Sequence, residues 1–373
     1  MIVSSAVPAT HAALKITGTG AVALYASVPT PVLEPSEILV RVVYISINHV
    51  DVKSADMSPS RGATSGTDFS GVVVALGSTV EVENHTRPFK LGERVLGGVF
   101  GNNPLRLDNG AFAEFVAVPA RLVWHAPQEM DFATAATLPA ALATVGLALF
   151  RYLQLPMPSC IAPSYREGQR CHASPVLVYG GSTATGAMAI QVLKLAGFTP
   201  ITACSAASAA RARSLGAAAT FDYHSPTCGV EIREHTAGLL AMALDCITDT
   251  ASMRICYEAL GPSGGRYVAL DSFPLRGHTR RSVRPDWVCT YTQFGHAITW
   301  APPYNLSARP NDREAAEAWY TVAQCWLDEN LIKAHPREER SGGLAAVGQG
   351  MEEVKRGQIL GRKLVYRISE ELR

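Results

Sequence analysis

A glycine-rich turn has the residue types of a phosphate-binding site. Its members are Gly181, Ser182, Thr183, Ala184, Thr185 and Gly186. The apolar run over 176–179 predicts a buried strand before the turn, and residues 187–196 predict a helix after it. A strand, a glycine-rich turn and a helix N-terminus together present backbone N–H groups to an anion. Threonine replaces the central glycine of G-x-G-x-x-G, so an ordinary strand-to-helix turn remains an alternative.

The next segment bears on which dinucleotide this turn would bind. Residues 198–204 predict the following parallel strand, at whose end a carboxylate usually binds the adenosine ribose. No Asp or Glu is nearby; the end of the strand is followed by Ser205, Ala206, Ala207, Ser208, Arg211 and Arg213. Hydroxyl and guanidinium groups suit a ribose 2′-phosphate, which a carboxylate would repel. The pattern favours NADP(H) over NAD(H); the alternative is that both arginines coat the outer face of the next helix.

Length and composition limit the function classes. The 373 residues, 47% hydrophobic and 17% charged, are enough for two domains with cores. A net charge of +1 provides no field for nucleic acid or an anionic membrane. No apolar run approaches the roughly 18 residues that span a bilayer, and the first residues lack the pattern of a signal peptide. We therefore expect a cytoplasmic protein.

The cysteines are scattered and form neither a C-x-x-C pair nor a cluster with histidine. They are Cys160, Cys171, Cys204, Cys228, Cys246, Cys256, Cys289 and Cys325. This spacing predicts reduced, partly buried thiols and no structural zinc site.

The hydrophobic period changes along the chain and predicts two architectures. Residues 12–125 contain short β-rich pieces, which predict a compact β-barrel-like domain. A helical pattern over 132–154 follows, and residues 176–300 then alternate strands and helices, as in a doubly wound parallel sheet. The remaining predicted elements are helices over 313–330 and 345–355, a strand over 362–368 and a hinge or insertion over 156–175.

Several segments resemble the medium-chain dehydrogenase/reductase superfamily, in its zinc-free quinone and enoyl reductase branch. They are 48–53 (NHVDVK), 65–73 (SGTDFSGVV), 92–95 (GERV) and 361–365 (GRKLV). Segments 179–185 and 342–366 are similar to the trans-acting enoyl reductases of fungal polyketide synthase systems. The resemblance implies an α/β protein: a split GroES-like catalytic domain (1–154 and 325–373), a Rossmann domain (155–324), and NADPH in the cleft between them.

The early segments lack the ligands of the zinc-dependent branch. Lys53 stands where a thiolate would be required, and Gly66-Thr67-Asp68 replaces Gly-His-Glu. Zinc needs three protein ligands and an open fourth position, which His49 and Asp68 do not provide. We therefore predict no metal. Conjugate reduction of an enone or enoyl thioester needs no metal and is the favoured reaction.

The resemblance assigns roles to a few polar side chains. Lys53 is the predicted donor to the developing oxyanion, and a solvated surface lysine is its alternative. Thr144 is the second candidate donor, against a hydroxyl bonded to its own helix. Asp51 and Asp68 position Lys53 or are simply part of a polar face. No strong acid stands out, so water is expected to supply the α-carbon proton.

The resemblance also implies the remaining contacts. Those to NADPH are Val50, Asp51, Val52, Lys53, the turn 181–185, the segment 205–208, Tyr223, Leu270, Asp271, Leu360 and Gly361. Those to the acyl substrate are Ala141, Leu142, Ala143, Thr144, Val145, Gly146, Leu147, Ala148, Tyr291, Thr292, Gln293, Phe294 and Gly295. Alternatives are a core role for Tyr223 and helix packing for the alanines.

The predicted function is a trans-acting enoyl reductase that works on the acyl carrier protein of a partner polyketide synthase. A free-standing NADPH-dependent quinone or enone reductase and a non-catalytic NADPH-binding partner are the alternatives. The basic stretch 271–284 contains Pro274, and proline with charge at a sheet edge favours a monomer. This stretch contains four arginines that could dock an acidic carrier domain: Arg276, Arg280, Arg281 and Arg284. The alternative is that they belong to a solvated loop.

Overall fold

A computed structural model describes residues 2–3, 7–80, 87–160 and 174–370. The chain divides into two compact units. The first unit comprises Met1–Ala140, Phe294–Pro310 and Ala334–Arg373, and the second comprises Ala141–Gln293 and Asn311–Lys333. Compared with the predicted division, residues 141–154 and 325–333 lie in the second unit, and residues 294–310 lie in the first.

The described elements are mostly short strands and helices. The strands are β1 (Ile2–Val3), β2 (Thr10–Gly18), β3 (Ala21–Pro29), β4 (Glu37–Ser46), β5 (Asp68–Leu76), β6 (Arg94–Gly98), β7 (Phe115–Pro119), β8 (Val123–His125), β9 (Pro175–Tyr179), β10 (Thr199–Cys204), β11 (Ala219–Asp222), β12 (Met242–Asp245), β13 (Gly265–Ala269), β14 (Val283–Trp287), β15 (Ile298–Thr299), β16 (Asn305–Leu306), β17 (Arg337–Arg340) and β18 (Lys363–Arg367). The α-helices are α1 (His49–Met57), α2 (Phe132–Ala135), α3 (Pro139–Gly146), α4 (Ala184–Leu195), α5 (Ala209–Ser214), α6 (Cys228–His235), α7 (Thr250–Ala259), α8 (Pro310–Asp328) and α9 (Gly343–Lys355).

The first unit is built on an eight-stranded sheet. Its path is β17-β18-β4-β5-β6-β8, with β1 paired to β5 and β7 paired to β4. Strand β4 is buried along almost its whole length because its alternate side chains pack into different apolar clusters. Val40 and Val42 belong to one cluster, whereas Leu39 and Val43 belong to two others. Strand β18, near the C-terminus, pairs antiparallel with β4 and so returns the end of the chain to this unit.

The second unit contains a six-stranded parallel sheet in the order β11-β10-β9-β12-β13-β14. This is the strand order of the Rossmann dinucleotide-binding fold, so the predicted doubly wound sheet is confirmed. Its core includes Leu177, Ile201, Leu240 and Tyr267. Because all strands are parallel, their carboxyl ends lie at one edge, where ligands of this fold bind.

The predicted helix over 132–154 is interrupted. It consists of α2, α3 and a π-helical turn over Leu147–Tyr152, and α3 begins at Pro139, where the missing N–H costs no helical bond. The segment Phe132–Tyr152 is 21 residues long with mean hydropathy 1.7, so our expectation about apolar runs was wrong. It is 83% buried within the protein, as core helices are. Of the predicted hinge or insertion at 156–175, residues 161–173 lie outside the described part of the chain.

Two cysteines correct the expectation of reduced thiols. Cys160 and Cys325 form a disulfide with a Cα–Cα distance of 6.1 Å, and they are 165 residues apart in the sequence. Their distance along the chain explains why spacing did not indicate the pair. Cys204, Cys228, Cys246, Cys256 and Cys289 form no disulfide, while Cys171 lies outside the described residues.

Candidate functional site

The glycine-rich turn is shaped by close packing at both of its outer glycines. A Cβ on Gly181 would lie 2.1 Å from Thr202 Oγ1, and a Cβ on Gly186 would lie 2.3 Å from the carbonyl oxygen of Gly180. The central Thr183 is the N-cap of α4: its hydroxyl accepts from the amide of Gly186 at 2.9 Å and donates to the carbonyl of Gly180 at 2.9 Å. The hydroxyl therefore explains why threonine occupies this position.

The N-terminus of α4 fits the pyrophosphate of a dinucleotide. The helix is 12 residues long, and the first-turn amides of Ala184 and Thr185 have no acceptor within a helix of this geometry. Residues Ser182 to Thr185 are half-buried, so this turn lies at the surface of the unit. Backbone donors and the positive end of the helix dipole are the groups that bind phosphate oxygens.

Removing the N-cap hydroxyl should weaken this helix start. We expect Thr183→Ala to lower the free energy of unfolding by about 1 kcal/mol, the usual cost of losing an N-cap. Thr183→Gly, which restores the usual glycine, should cost only a few tenths of that, since glycine is tolerated at an N-cap. Thermal denaturation checks this, with Thr279→Ala in an exposed position as the control. Equal stability of Thr183→Ala and the control would contradict the capping role.

The adenosine end differs from the sequence-based expectation. Arg213 donates to Thr220 Oγ1 at 2.6 Å, so it serves the unit's own structure, as one alternative held. The strand register also places Asp222 beside Cys204, so a carboxylate does lie near Ser205 and our statement that none is nearby was wrong. Asp222 accepts a hydrogen bond from the His224 amide at 3.0 Å and lies 2.7 Å from a His224 ring nitrogen, and both contacts lower its pKa.

Other predicted cofactor residues follow the carboxyl ends of β10, β11 and β13. Ser205 donates to Ser208 Oγ at 3.1 Å, and Ala206 and Ala207 are exposed. Tyr223 is 39% exposed, with its ring centroid 6.2 Å from that of Tyr179, which favours a surface role over a core role. Leu270 and Asp271 are half-buried just after β13.

Asp245 at the end of β12 is a residue that sequence reasoning missed. It is fully buried and accepts from Ser252 Oγ at 2.6 Å, from Tyr267 OH at 2.7 Å and from the amides of Ile247 and Thr248 at 2.9 Å. Burial raises its pKa. Its bonds hold the loop after β12 at the ligand-binding edge of the sheet.

Lys53 lies on α1 of the first unit with its side chain exposed. Its ammonium donates to Tyr304 OH at 2.7 Å and lies 5.0 Å from the centroid of the Tyr304 ring. The tyrosine comes from the loop between β15 and β16, which sequence reasoning did not select. Lys53 is thus a partly organised cation rather than a freely solvated one.

A buried ion pair organises the start of α1. Lys363 Nζ lies 2.6 Å from Asp68 Oδ2 and also donates to Asn48 Oδ1 at 2.9 Å and to the Thr137 carbonyl at 3.2 Å. Asp68 is fully buried and additionally accepts from the Asn48 side chain, the Ser46 hydroxyl and the Ala140 amide. The carboxylate that was expected to position Lys53 therefore pairs with Lys363.

Asp51 is the third residue of α1 and closes a capping box. One carboxylate oxygen accepts from the Asn48 amide at 2.7 Å and the other from Thr67 Oγ1 at 2.7 Å. The side chain is 3% exposed, so this carboxylate serves the protein's own structure. Burial raises its pKa to about 7; the nearby Asp68 acts in the same direction, while the hydrogen bonds and Lys363 oppose it.

The raised pKa of Asp51 gives a stability prediction with a definite sign. Between about pH 4 and 7 the folded chain holds a proton on Asp51 that the unfolded chain releases, so stability falls as the pH rises through this window. We expect Asp51→Asn to remove that slope. Chemical denaturation of wild type and variant at matched pH values, which cancels the contribution of other groups, measures the difference. A difference that stays constant from pH 4 to 7 would contradict the assignment.

Thr144 lies on α3 of the second unit, half-buried. Its hydroxyl oxygen is 2.7 Å from the hydroxyl oxygen of Thr290, at the start of the turn over 290–294. Sequence reasoning did not select Thr290. One of the two hydroxyls donates to the other in this pair, so the hydroxyl that accepts keeps its own hydrogen for another acceptor.

The predicted substrate residues are mostly buried. Around Thr144 the buried side chains are Ala141, Leu142, Ala143, Val145, Leu147 and Ala148, and in the following turn they are Tyr291, Thr292, Gln293 and Phe294. Gly146 packs against the indole of Trp319, where a Cβ would lie 2.0 Å from a ring atom. Gln293 accepts from Tyr320 OH at 3.0 Å. The burial of the alanines favours the packing alternative for them. Gly295 is half-buried at a positive φ of 77°.

The remaining predicted residues differ in how exposed they are. Val50 is half-buried and Val52 is buried, whereas Leu360 is 78% exposed and Gly361 is exposed with φ of 67°.

Arg280 donates to the carbonyls of Tyr257, Leu260 and Gly261, so it caps the end of α7 and is not available for docking. The other predicted docking cations are exposed: Arg276, Arg281 and Arg284. Strand β14 ends the sheet and contains Pro285.

Metal-ligating side chains do not gather in the described part of the chain. No group of three or more His, Cys, Asp or Glu residues there could hold a metal ion. Beside Asp68, the position of a cation is taken by the Lys363 ammonium.

Comparison with known proteins places the chain among dehydrogenases and reductases. Residues 34–128 match the family described as "Alcohol dehydrogenase GroES-like domain", and residues 184–279 match "Zinc-binding dehydrogenase". The chain is 68% identical to the trans-enoyl reductase iccB of Talaromyces variabilis over 370 residues, which cover 98% of each chain. It is 66% identical to the trans-enoyl reductase iliB of a Neonectria species over 383 residues, which cover both chains fully. An alcohol dehydrogenase superfamily protein from Novosphingobium aromaticivorans shares the fold, with a TM-score of 0.74 at 20% identity and coverage of 96% of this chain and 100% of that one.

Proposed function

We propose that this chain, which belongs to the fungal trans-enoyl reductases of the medium-chain dehydrogenase/reductase superfamily, reduces the α,β-unsaturated thioester of a growing polyketide. The observation that carries the proposal is 68% identity over nearly the full length to a protein named trans-enoyl reductase. The acyl chain would be held by the acyl carrier protein of a partner polyketide synthase or synthase–peptide synthetase hybrid. We further propose that the chain acts as a cytoplasmic monomer.

NADPH is the proposed cofactor, bound on the second unit. The family uses nicotinamide cofactors, and the N-terminus of α4 offers backbone amides to a pyrophosphate. Ser205, Ser208 and Arg211 support a ribose 2′-phosphate, since they offer hydroxyl and guanidinium donors after β10.

When bound, NADPH supplies the hydride that adds to the β-carbon of the enoyl group. Negative charge then develops on the thioester carbonyl oxygen, so donors placed at that oxygen lower the barrier. Lys53 carries three N–H donors, one of which goes to Tyr304, and we assign another to the carbonyl oxygen. Thr144, oriented by Thr290, is the second proposed donor.

The test is turnover of an enoyl thioester by the intact protein. Loss of NADPH absorbance is followed with a crotonyl-type pantetheine thioester and with the same acyl group on a carrier protein. A simple quinone and NADH are run in parallel. Thioester turnover that prefers NADPH, and that is faster on the carrier protein than on free pantetheine, is the expected result.

The alternatives give different results in the same assay. Turnover of the quinone alone would indicate a free-standing quinone or enone reductase. Binding of NADPH without turnover of any substrate would indicate a non-catalytic partner. Equal rates with NADH and NADPH would contradict the assignment of the residues after β10 to a 2′-phosphate.

A further inference from the structure

The Lys53–Tyr304 pair has a fixed geometry within the first unit. Lys53 Nζ donates to the phenolic oxygen of Tyr304 at 2.7 Å. Tyr304 is half-buried in the loop between β15 and β16, which is attached to its surroundings at two further points. The Trp300 indole N–H donates to the Asn102 carbonyl at 2.9 Å, and the Ala301 amide donates to Ser58 Oγ at 2.9 Å.

One of these attachments holds the tyrosine relative to the lysine. Ser58 immediately follows α1, the helix that carries Lys53, and it accepts from the amide of Ala301, three residues before Tyr304. Trp300 is 3% exposed, so the base of the loop is anchored in the interior. The phenol and the ammonium are therefore held together by the backbone as well as by their own hydrogen bond.

The direction of this hydrogen bond changes the acidity of the phenol. An ammonium has only donors, so the phenolic oxygen must accept, and its own O–H remains the group that donates. An adjacent positive charge stabilises the phenolate that remains when the phenol gives up its proton. A phenol beside a lysine ammonium is consequently a better proton donor than an isolated tyrosine.

We propose that Tyr304 is the acid that protonates the α-carbon of the substrate, with Lys53 holding both the phenol and the thioester oxygen. This proposal rests on the proposed enoyl reductase function. In an enolate the charged oxygen and the α-carbon are only two bonds apart, so an ammonium that binds the oxygen brings its other partner toward the α-carbon. Tyr304 thus replaces water, which the sequence analysis expected to supply the α-carbon proton.

The proton and electrons balance in this step. The hydride that bound NADPH would supply, by breaking a C4–H bond of its nicotinamide, would form the new C–H bond at the β-carbon, and the electrons of the C=C bond would move to give an enolate. The enolate then forms a C–H bond at the α-carbon as the O–H bond of Tyr304 breaks. The phenolate left on Tyr304 is stabilised by the Lys53 ammonium and regains a proton from water.

The first measurement compares Tyr304→Phe with wild type on the enoyl thioester. We expect kcat to fall roughly a hundredfold, the lower end of what a positioned acid contributes, with the NADPH dissociation constant unchanged. Tyr25→Phe, which alters an exposed tyrosine on β3, is the matched control and should behave as wild type. A kcat of Tyr304→Phe within twofold of wild type would overturn the proposal.

The second measurement separates proton transfer from positioning. Tyr304→Ala leaves space for small phenols, and added phenols should restore activity in the order of their acidity if they donate the proton. Rescue that is independent of phenol acidity, or no rescue in a variant that still binds NADPH, would overturn the role as acid. If wild type itself fails to reduce the thioester, the proposed function is wrong, and that outcome is distinct from either result with the variants.

Discussion

Replacing Lys53 by methionine is expected to lower kcat/KM for the enoyl thioester by about a hundredfold, equivalent to roughly 3 kcal/mol of transition-state stabilisation. Methionine keeps much of the apolar length of the lysine stem but removes the proposed donor to the thioester oxygen. The same change removes the hydrogen bond to Tyr304 OH. The loss should fall mainly on kcat at saturating NADPH, because the charge on the carbonyl oxygen develops in the transition state.

Two further lysine variants make this test specific. Lys53→Arg retains the charge but changes the donor geometry, so it should recover part of the lost activity and no more. Lys90→Met removes an exposed lysine of the same unit and should leave kcat/KM unchanged. If Lys53→Met reduced the thioester at a rate close to that of Lys90→Met, Lys53 would be a surface lysine with no part in the chemistry.

Replacing Lys363 by methionine is expected to give the largest loss of stability. Its side chain is 6% exposed, and its ammonium lies 2.6 Å from the fully buried Asp68 carboxylate. Removal of one partner leaves the other charge buried without compensation, which typically costs about 3–5 kcal/mol. The free energy of unfolding, measured by chemical denaturation, should fall by that amount.

A second ion pair of the same type provides the control. Lys355 and Asp56 are also 2.6 Å apart, but their side chains are 43% and 33% exposed. Solvent screens such a pair, so Lys355→Met should leave the stability nearly unchanged. The double variant Lys363→Met/Asp68→Leu should recover only part of the loss, because no uncompensated charge remains but the Ser46, Asn48 and Ala140 donors lose their acceptor. Equal effects of Lys363→Met and Lys355→Met would show that burial of the first pair contributes nothing.

Local sequence patterns determined most of the second unit. The apolar run before Gly180, the glycines at 181 and 186 and the helix after them predicted β9, the turn and α4, since each depends on contacts between residues close in sequence. The same patterns predicted the parallel sheet and the helix end that we propose binds phosphate. The structure changed one detail of the turn: Thr183 caps the helix, a role that glycine would fill less well.

The polar centre of the first unit was decided by tertiary structure. Lys363 reaches Asp68 across 295 residues of sequence because β18 pairs with β4, and Tyr304 reaches Lys53 across 251 residues through the loop after β15. The sequence identified Lys53 and Asp68 as candidate site residues but predicted that Asp68 positions Lys53, whereas Asp68 pairs with Lys363. Hydrophobic period and residue spacing report on neighbours along one element, whereas the partner of a buried charge depends on which distant strands the fold brings together.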